Sequence, residues 1–209
     1  HAQTPLPAPT IALACAAGAA HADTFPQSPG EMKHALIAFD GTHIELSIAD
    51  IGRGCVVLAE VAHLERGRGA DVLDGKWYND QYGFLANGTF SPPTGAAFYI
   101  ELTSPVAGLE AYAGGMRMMR DQHTYAPIFG TDGSPMFTQW NGMMTHHWFA
   151  TATPGPYEAT FRVYIGDAQT GAPLSGFGSD TMTFSWIPAP SSTAVLGLAG
   201  IAATRRRRS

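Results

Sequence analysis

Residues 157–165 read YEATFRVYI. Tyr157, Ala159, Phe161, Val163 and Ile165 alternate there with Glu158, Thr160, Arg162 and Tyr164. Successive side chains of a strand point to opposite faces, so this period of two marks a half-buried strand. Met182, Phe184 and Trp186 alternate with Thr181, Thr183 and Ser185 in the same way. Upstream, Asp40-Gly41 separates the apolar-patterned runs 35–39 and 42–48, and Asp-Gly between two such runs is a hairpin signal. A two-residue turn pairs Phe39 with Thr42, Ile37 with Ile44 and Ala35 with Leu46 on the core face. The other face sets Ala38 opposite His43, Leu36 opposite Glu45 and His34 opposite Ser47.

Further strands are expected at residues 55–63, 96–103, 109–113 and 148–151. Together with 24 Gly, 15 Pro and only 14% charged residues, about eight short strands predict an all-β domain, an antiparallel β-sandwich. Two long polar stretches, 65–95 and 114–142, break the alternation and are expected to be loops; loops of that length are uncommon unless functional or irregularly packed. There is no internal repeat.

Charge is unevenly placed. All 17 acidic residues lie beyond residue 22, whereas four of the 12 basic ones form the run Arg205, Arg206, Arg207 and Arg208. Without both ends, eight basic residues face 17 acidic ones, a net charge of −9. Such a domain repels nucleic acid and anionic lipid and attracts cations. Of two cysteines, Cys15 lies in the N-terminal apolar run, which leaves Cys55 alone and excludes a disulfide within the domain. Cys55 opens the apolar run CVVLA and reads as a core thiol.

Both ends read as addresses. Residues 10–20 are TIALACAAGAA, followed by Ala20-His21-Ala22 and then Asp23. An apolar stretch ending in an A-x-A site is the signature of a signal peptide, here 1–22, cleaved by signal peptidase before Asp23. The C-terminal segment 187–209 reads IPAPSS, then TAVLGLAGIAAT, then four arginines and a serine. A helix over 193–204 spans only ~18 Å against a hydrocarbon core of ~30 Å, so it suits brief anchoring in the membrane. The arginines favour the cytoplasmic side and place the domain, 23–186, outside.

Pro188-Ala189-Pro190, a short apolar helix and a terminal Arg run resemble a PEP-CTERM sorting signal, with Ala189 in place of the usual middle Glu. The resemblance implies processing by an exosortase, in bacteria that make extracellular polysaccharide, and hence exopolysaccharide as a partner. A second resemblance spreads over most of 33–186. His34-Ala35-Leu36-Ile37, the Asp40-Gly41 hairpin, and Thr145-His146-His147-Trp148-Phe149 followed by Pro154-Gly155-Pro156-Tyr157 are similar to the choice-of-anchor M surface domain. That family implies an exported domain with metal handling. Here adjacent His146 and His147 replace the spaced histidines of the family.

No nucleophile elbow, zinc-protease helix, phosphate loop or paired cysteine is present. A carboxylate pair for polysaccharide hydrolysis leaves no sequence spacing, and Glu101, Glu110 and Asp132 are arbitrary candidates. Six histidines fall in the domain: His34, His43, His63, His123, His146 and His147. Imidazole is the commonest neutral metal ligand, so all six are site candidates; the resemblance to the surface domain points to His34, His146 and His147 among them, for zinc or copper. His34 and His43 stand ~13 Å apart in the hairpin register and cannot share an ion. His146 and His147 would point to opposite faces of a strand, so only one of them is expected to join His34 or His123 unless a turn intervenes.

Met116, Met118, Met119, Met143 and Met144 near His123 and His146 offer either soft copper ligands or core filler. Asp71, Asp74, Asn79 and Asp80 offer oxygen ligands for calcium but lack calcium-loop spacing, and otherwise read as a solvated loop. Trp77, Tyr78, Tyr82, Phe84, Tyr125 and Trp140 either stack on sugars or anchor the loops. The leading functional expectation is an exported, non-enzymatic cell-surface or extracellular-matrix protein. The alternatives are a surface metal-binding protein and a carbohydrate-binding or polysaccharide-acting protein.

Overall fold

The computed structural model describes residues 32–49, 56–60, 71–114 and 125–188. The expected signal peptide with Ala20 and Ala22, the tail with Ala189, Pro190 and Arg205 to Arg208, and Cys55, His63, His123, Met116, Met118 and Met119 lie outside the described residues.

The described chain is all-β. It runs β1 (Lys33–Phe39), β2 (Ile44–Ile48), β3 (Val56–Glu60), β4 (Trp77–Asn79), β5 (Tyr82–Ala86), β6 (Ala96–Leu102), β7 (Glu110–Tyr112), β8 (Pro127–Ile128), β9 (Phe137–Trp140), β10 (Thr145–His146), β11 (Trp148–Thr151), β12 (Tyr157–Asp167) and β13 (Asp180–Pro188). Four strands form one sheet in the order β10-β5-β1-β2. The others form two sheets that share β3 and so run on as nine strands, β8-β7-β11-β4-β3-β13-β12-β6-β9.

All eight strands expected from the pattern are present. Five more, β4, β5, β8, β9 and β10, fall within or just after the stretches expected to be loops. They are two to five residues long, too short for the alternation to register. The expectation of uniformly antiparallel pairing also fails, because β1 pairs β5 and β13 pairs β3 in parallel.

The alternation of β12 does what the sequence dictates. Ala159, Phe161 and Val163 are buried and Glu158 is exposed. Phe161 meets Phe84 of the four-stranded sheet at 5.9 Å between ring centroids, and Phe129, Phe149 and Phe184 of the other side at 5.2, 5.7 and 5.1 Å. Side chains of both sheets thus share one core, with Ala35, Ile37, Tyr82 and Phe84 facing Leu58, Ile100, Phe184 and Trp186. Beyond Phe161 the outer face of β12 also closes over, where Tyr164 stacks on Tyr99 at 5.5 Å.

The hairpin keeps its faces but not its register. The pairs are Phe39 with Ile44, Ile37 with Leu46 and Ala35 with Ile48, two residues on from the two-residue turn. Asp40 is the cause: its Oδ1 accepts from the backbone N–H groups of Thr42 (2.8 Å) and His43 (2.7 Å) and from the Thr42 hydroxyl (2.9 Å), which closes a four-residue loop. A slip of two leaves every side chain on its expected face. His43 consequently sits in the loop, where it bridges to Gly178, instead of opposite Ala38.

At its far end β13 runs two residues past Trp186, to Pro188, which pairs with Leu58 of β3. The domain therefore reaches the first proline of Pro188-Ala189-Pro190.

Truncating the ring shared by both sheets should be costly. Phe161→Ala is expected to lower the unfolding free energy by about 3–5 kcal/mol. Ile48→Ala, at a side chain 51% exposed, is expected to change it by less than about 0.5 kcal/mol. Urea unfolding followed by tryptophan fluorescence measures both.

Candidate functional site

The chain changes sheet twice at one corner. β4 ends at Asn79 among the nine strands and β5 starts at Tyr82 in the four-stranded sheet; β10 ends at His146 in the four-stranded sheet and β11 starts at Trp148 among the nine. These segments pair on both sides of the crossing, Asn79 with Phe149 and Gly83 with His146. Between the pairs lie three residues on one segment, Asp80, Gln81 and Tyr82, and two on the other, His147 and Trp148. The extra residue is a bulge, which bends the pair and re-aims its side chains. Asn79 holds the bend from inside, accepting from the Gln81 backbone N–H at 2.8 Å and donating to the Gln81 side-chain oxygen at 2.9 Å. Asn79, Asp80 and Gln81 are all buried.

On the outer face of the four-stranded sheet, β5 lies between β1 and β10, and Gly83 pairs with His34 on one side and His146 on the other. Three neighbouring strands thus carry the row His34, Gly83, His146. A Cβ on Gly83 would stand 2.5 Å from the His146 Nε2, so only glycine lets that ring lie across the middle strand. The two imidazoles meet over it, Nε2 to Nε2 at 3.1 Å, with their planes at 83°.

The protons follow from the partners. The His146 Nδ1 stands 2.7 Å from the Asp80 carbonyl oxygen, which only accepts, so Nδ1 carries the hydrogen and Nε2 keeps its lone pair. The His34 Nε2–H then donates to it. Burial, and secondarily the neighbouring His146, push the His34 pKa below the usual histidine value.

His147 goes elsewhere. Its ring inserts between Phe84 and Phe129, at centroid distances of 6.2 and 5.3 Å. Its Nδ1 accepts a long 3.4 Å bond from the Gly114 N–H, while its Nε2 is buried without a hydrogen-bond partner. Gly114 is needed as glycine, since a Cβ there would strike the His146 carbonyl oxygen at 1.7 Å. Burial, with a smaller contribution from His146, pushes the His147 pKa down to about 3. A cavity of about 420 Å³ beside it is lined by Ile100, Gly114, Trp140, Met143, Thr145 and His147 among others.

Of the three expected metal residues, then, His34 and His146 come together and His147 does not. Among the described residues no three His, Cys, Asp or Glu side chains converge. His43 hydrogen-bonds Thr42 in the hairpin loop, apart from the pair. Glu101 is paired with Arg162, and Glu110 with Lys76 and Tyr112, so both serve the surface of the sheet. Tyr82 and Phe84 lie in the main core and Tyr78 and Tyr125 in a second one around Trp148, whereas Trp140, also in the main core, lines the cavity. The sequence reading missed Gly83, Gly114 and Asp80, whose roles arise from strand order and carry no local signal.

No family model, curated protein or solved structure matches this chain. The corner holds an imidazole pair in which the Asp80 carbonyl orients His146, next to a buried imidazole with an unmade bond.

His147 makes stability sensitive to acid. In the unfolded chain an imidazole takes up a proton near pH 6.5, whereas here it does so only near 3. Its contribution is complete above pH 6.5 and is lost progressively as pH falls toward 3. The melting temperature is expected to drop across this window, and His147→Phe to flatten the drop, as followed by scanning calorimetry from pH 7.5 to 3.5.

Proposed function

We propose that this chain is an exported bacterial protein of the cell surface or extracellular matrix, acting without catalysis. Its folded part is a sandwich-type β domain. Signal peptidase removes the leader before Asp23, the segment around 193–204 anchors the precursor briefly in the inner membrane, and an exosortase cuts near Pro188-Ala189-Pro190.

The observation that carries the reading is the hand-over at Pro188. Trp186 is fully buried and Pro188 is the last paired residue of β13; from the next residue on, the sequence is the linker, apolar run and arginines of the sorting-type tail. Cleavage after Pro188 leaves Trp186 and the pairing of Pro188 with Leu58 in the mature domain. The acidic composition of the domain weighs against nucleic acid as a partner and fits a protein among extracellular polysaccharides.

Intact mass of the protein recovered from the native cell surface tests the reading. The expected species starts at Asp23 and lacks the arginine run. A full-length 22.1 kDa chain at the surface, or turnover of extracellular polysaccharide by the purified protein, would refute the corresponding part.

A further inference from the structure

We propose that His34 and His146 form a binding site for a divalent transition-metal ion of borderline softness, of the zinc, nickel or copper(II) class. The inference goes beyond the export reading and does not depend on it.

The distance between the two Nε2 atoms is the first argument. Two imidazole nitrogens on one tetrahedral zinc ion, each at 2.0–2.1 Å from the metal, stand about 3.3 Å apart. The observed 3.1 Å meets that spacing to within a few tenths of an ångström. A linear two-coordinate ion would need about 4 Å between them, so the pair is set for an ion that binds the nitrogens side by side.

The second argument is the orientation of His146. A ligating histidine almost always donates its other ring N–H to a carbonyl or carboxylate, which fixes the tautomer and strengthens the lone pair. The bond from the His146 Nδ1–H to the Asp80 carbonyl, at 2.7 Å, is such a support and is already in place. Moving the His34 proton from Nε2 to Nδ1 would free a second Nε2 lone pair beside that of His146.

The third argument is Gly83. With a side chain there, the two imidazoles of β1 and β10 would be kept apart across β5; without one they meet. His146 is buried, at 7% exposure, and His34 is half-buried, so the pair is partly withdrawn from water. Two imidazoles suit borderline metals over magnesium or calcium, which take oxygen ligands.

The full chain, purified without a histidine tag, is titrated with zinc, nickel, copper(II) and magnesium chlorides at pH 7.5. Zinc at a hundredfold excess over its dissociation constant is expected to raise the melting temperature by roughly 5 °C or more, and magnesium to leave it unchanged. His34→Gln should abolish the zinc shift and His43→Ala should keep it. Gly83→Ala, which retains both imidazoles but drives the His146 ring aside, should abolish it too. Electron paramagnetic resonance of the copper(II) form should show coupling to two imidazole nitrogens, reduced to one in His34→Gln. The proposal is overturned if none of the three transition metals shifts the melting temperature, or if His34→Gln leaves the zinc shift unreduced. It is equally overturned if His43→Ala removes the shift.

Discussion

Two paired segments of this chain leave one sheet and enter another at the same point, and backbone pairing must continue on both sides of the crossing. A hydrogen-bonded ladder cannot turn a corner with equal numbers of residues on its inner and outer paths. The extra residue among Asp80, Gln81 and Tyr82 resolves the mismatch. It also strands polar groups inside the bend, and Asn79 answers two of them through Gln81. Everything distinctive about the site follows from this constraint. His146 faces the outside of one sheet because it is the last residue before the crossing, and the Asp80 carbonyl is turned toward it because Asp80 is the first residue after the opposite strand ends.

Stability does not explain the polar content of that corner. A buried phenylalanine such as Phe161 contributes about 1.5–3 kcal/mol by burial alone, and the ring cluster across the two sheets holds many such side chains. The bond between His34 and His146 contributes about 1 kcal/mol, whereas a buried donor left unmade, like the Nε2 of His147, costs about 1–3 kcal/mol. An apolar residue in place of His147 would lose only the long 3.4 Å bond from the Gly114 N–H and would remove the unmade donor. The three histidines are therefore better understood as chemistry held by the fold than as part of what holds it.

How much of this was legible in the sequence depends on length scale. Period-two alternation exposed β12 and β13 because they are long, nine residues or more, and a strand of two or three residues such as β10 or β4 contains too little alternation to separate from a loop. The hairpin was legible in its faces, since a slip of two preserves them, but not in its register, which the Asp40 side chain sets through bonds that the Asp-Gly signal alone does not specify. The parallel pairings of β1 with β5 and β13 with β3 are tertiary choices with no local trace. For the site, the sequence singled out His34, His146 and His147 as candidates, but its opposite-face argument assumed one continuous strand through His146 and His147, and the chain changes sheet between them. Which of the two would meet His34 was not legible, because that depends on where the chain changes sheet.

The adjacent pair His146-His147 shows why residue spacing is a poor guide at such a corner. In one continuous strand the two rings would occupy opposite faces of a single sheet. Here the sheet itself changes between them: His146 ends β10 on the outer face of the four-stranded sheet, and His147 is the crossing residue whose ring drops between Phe84 and Phe129. One residue of displacement along the chain turns an imidazole that meets a partner at 3.1 Å into one sealed in the core with a pKa near 3. Environment separates the two far more than sequence does. The same dipeptide thus supplies both a lone pair directed at His34 and an acid-sensitive element in the core, and any proton that reaches His147 acts on the bend that positions His146.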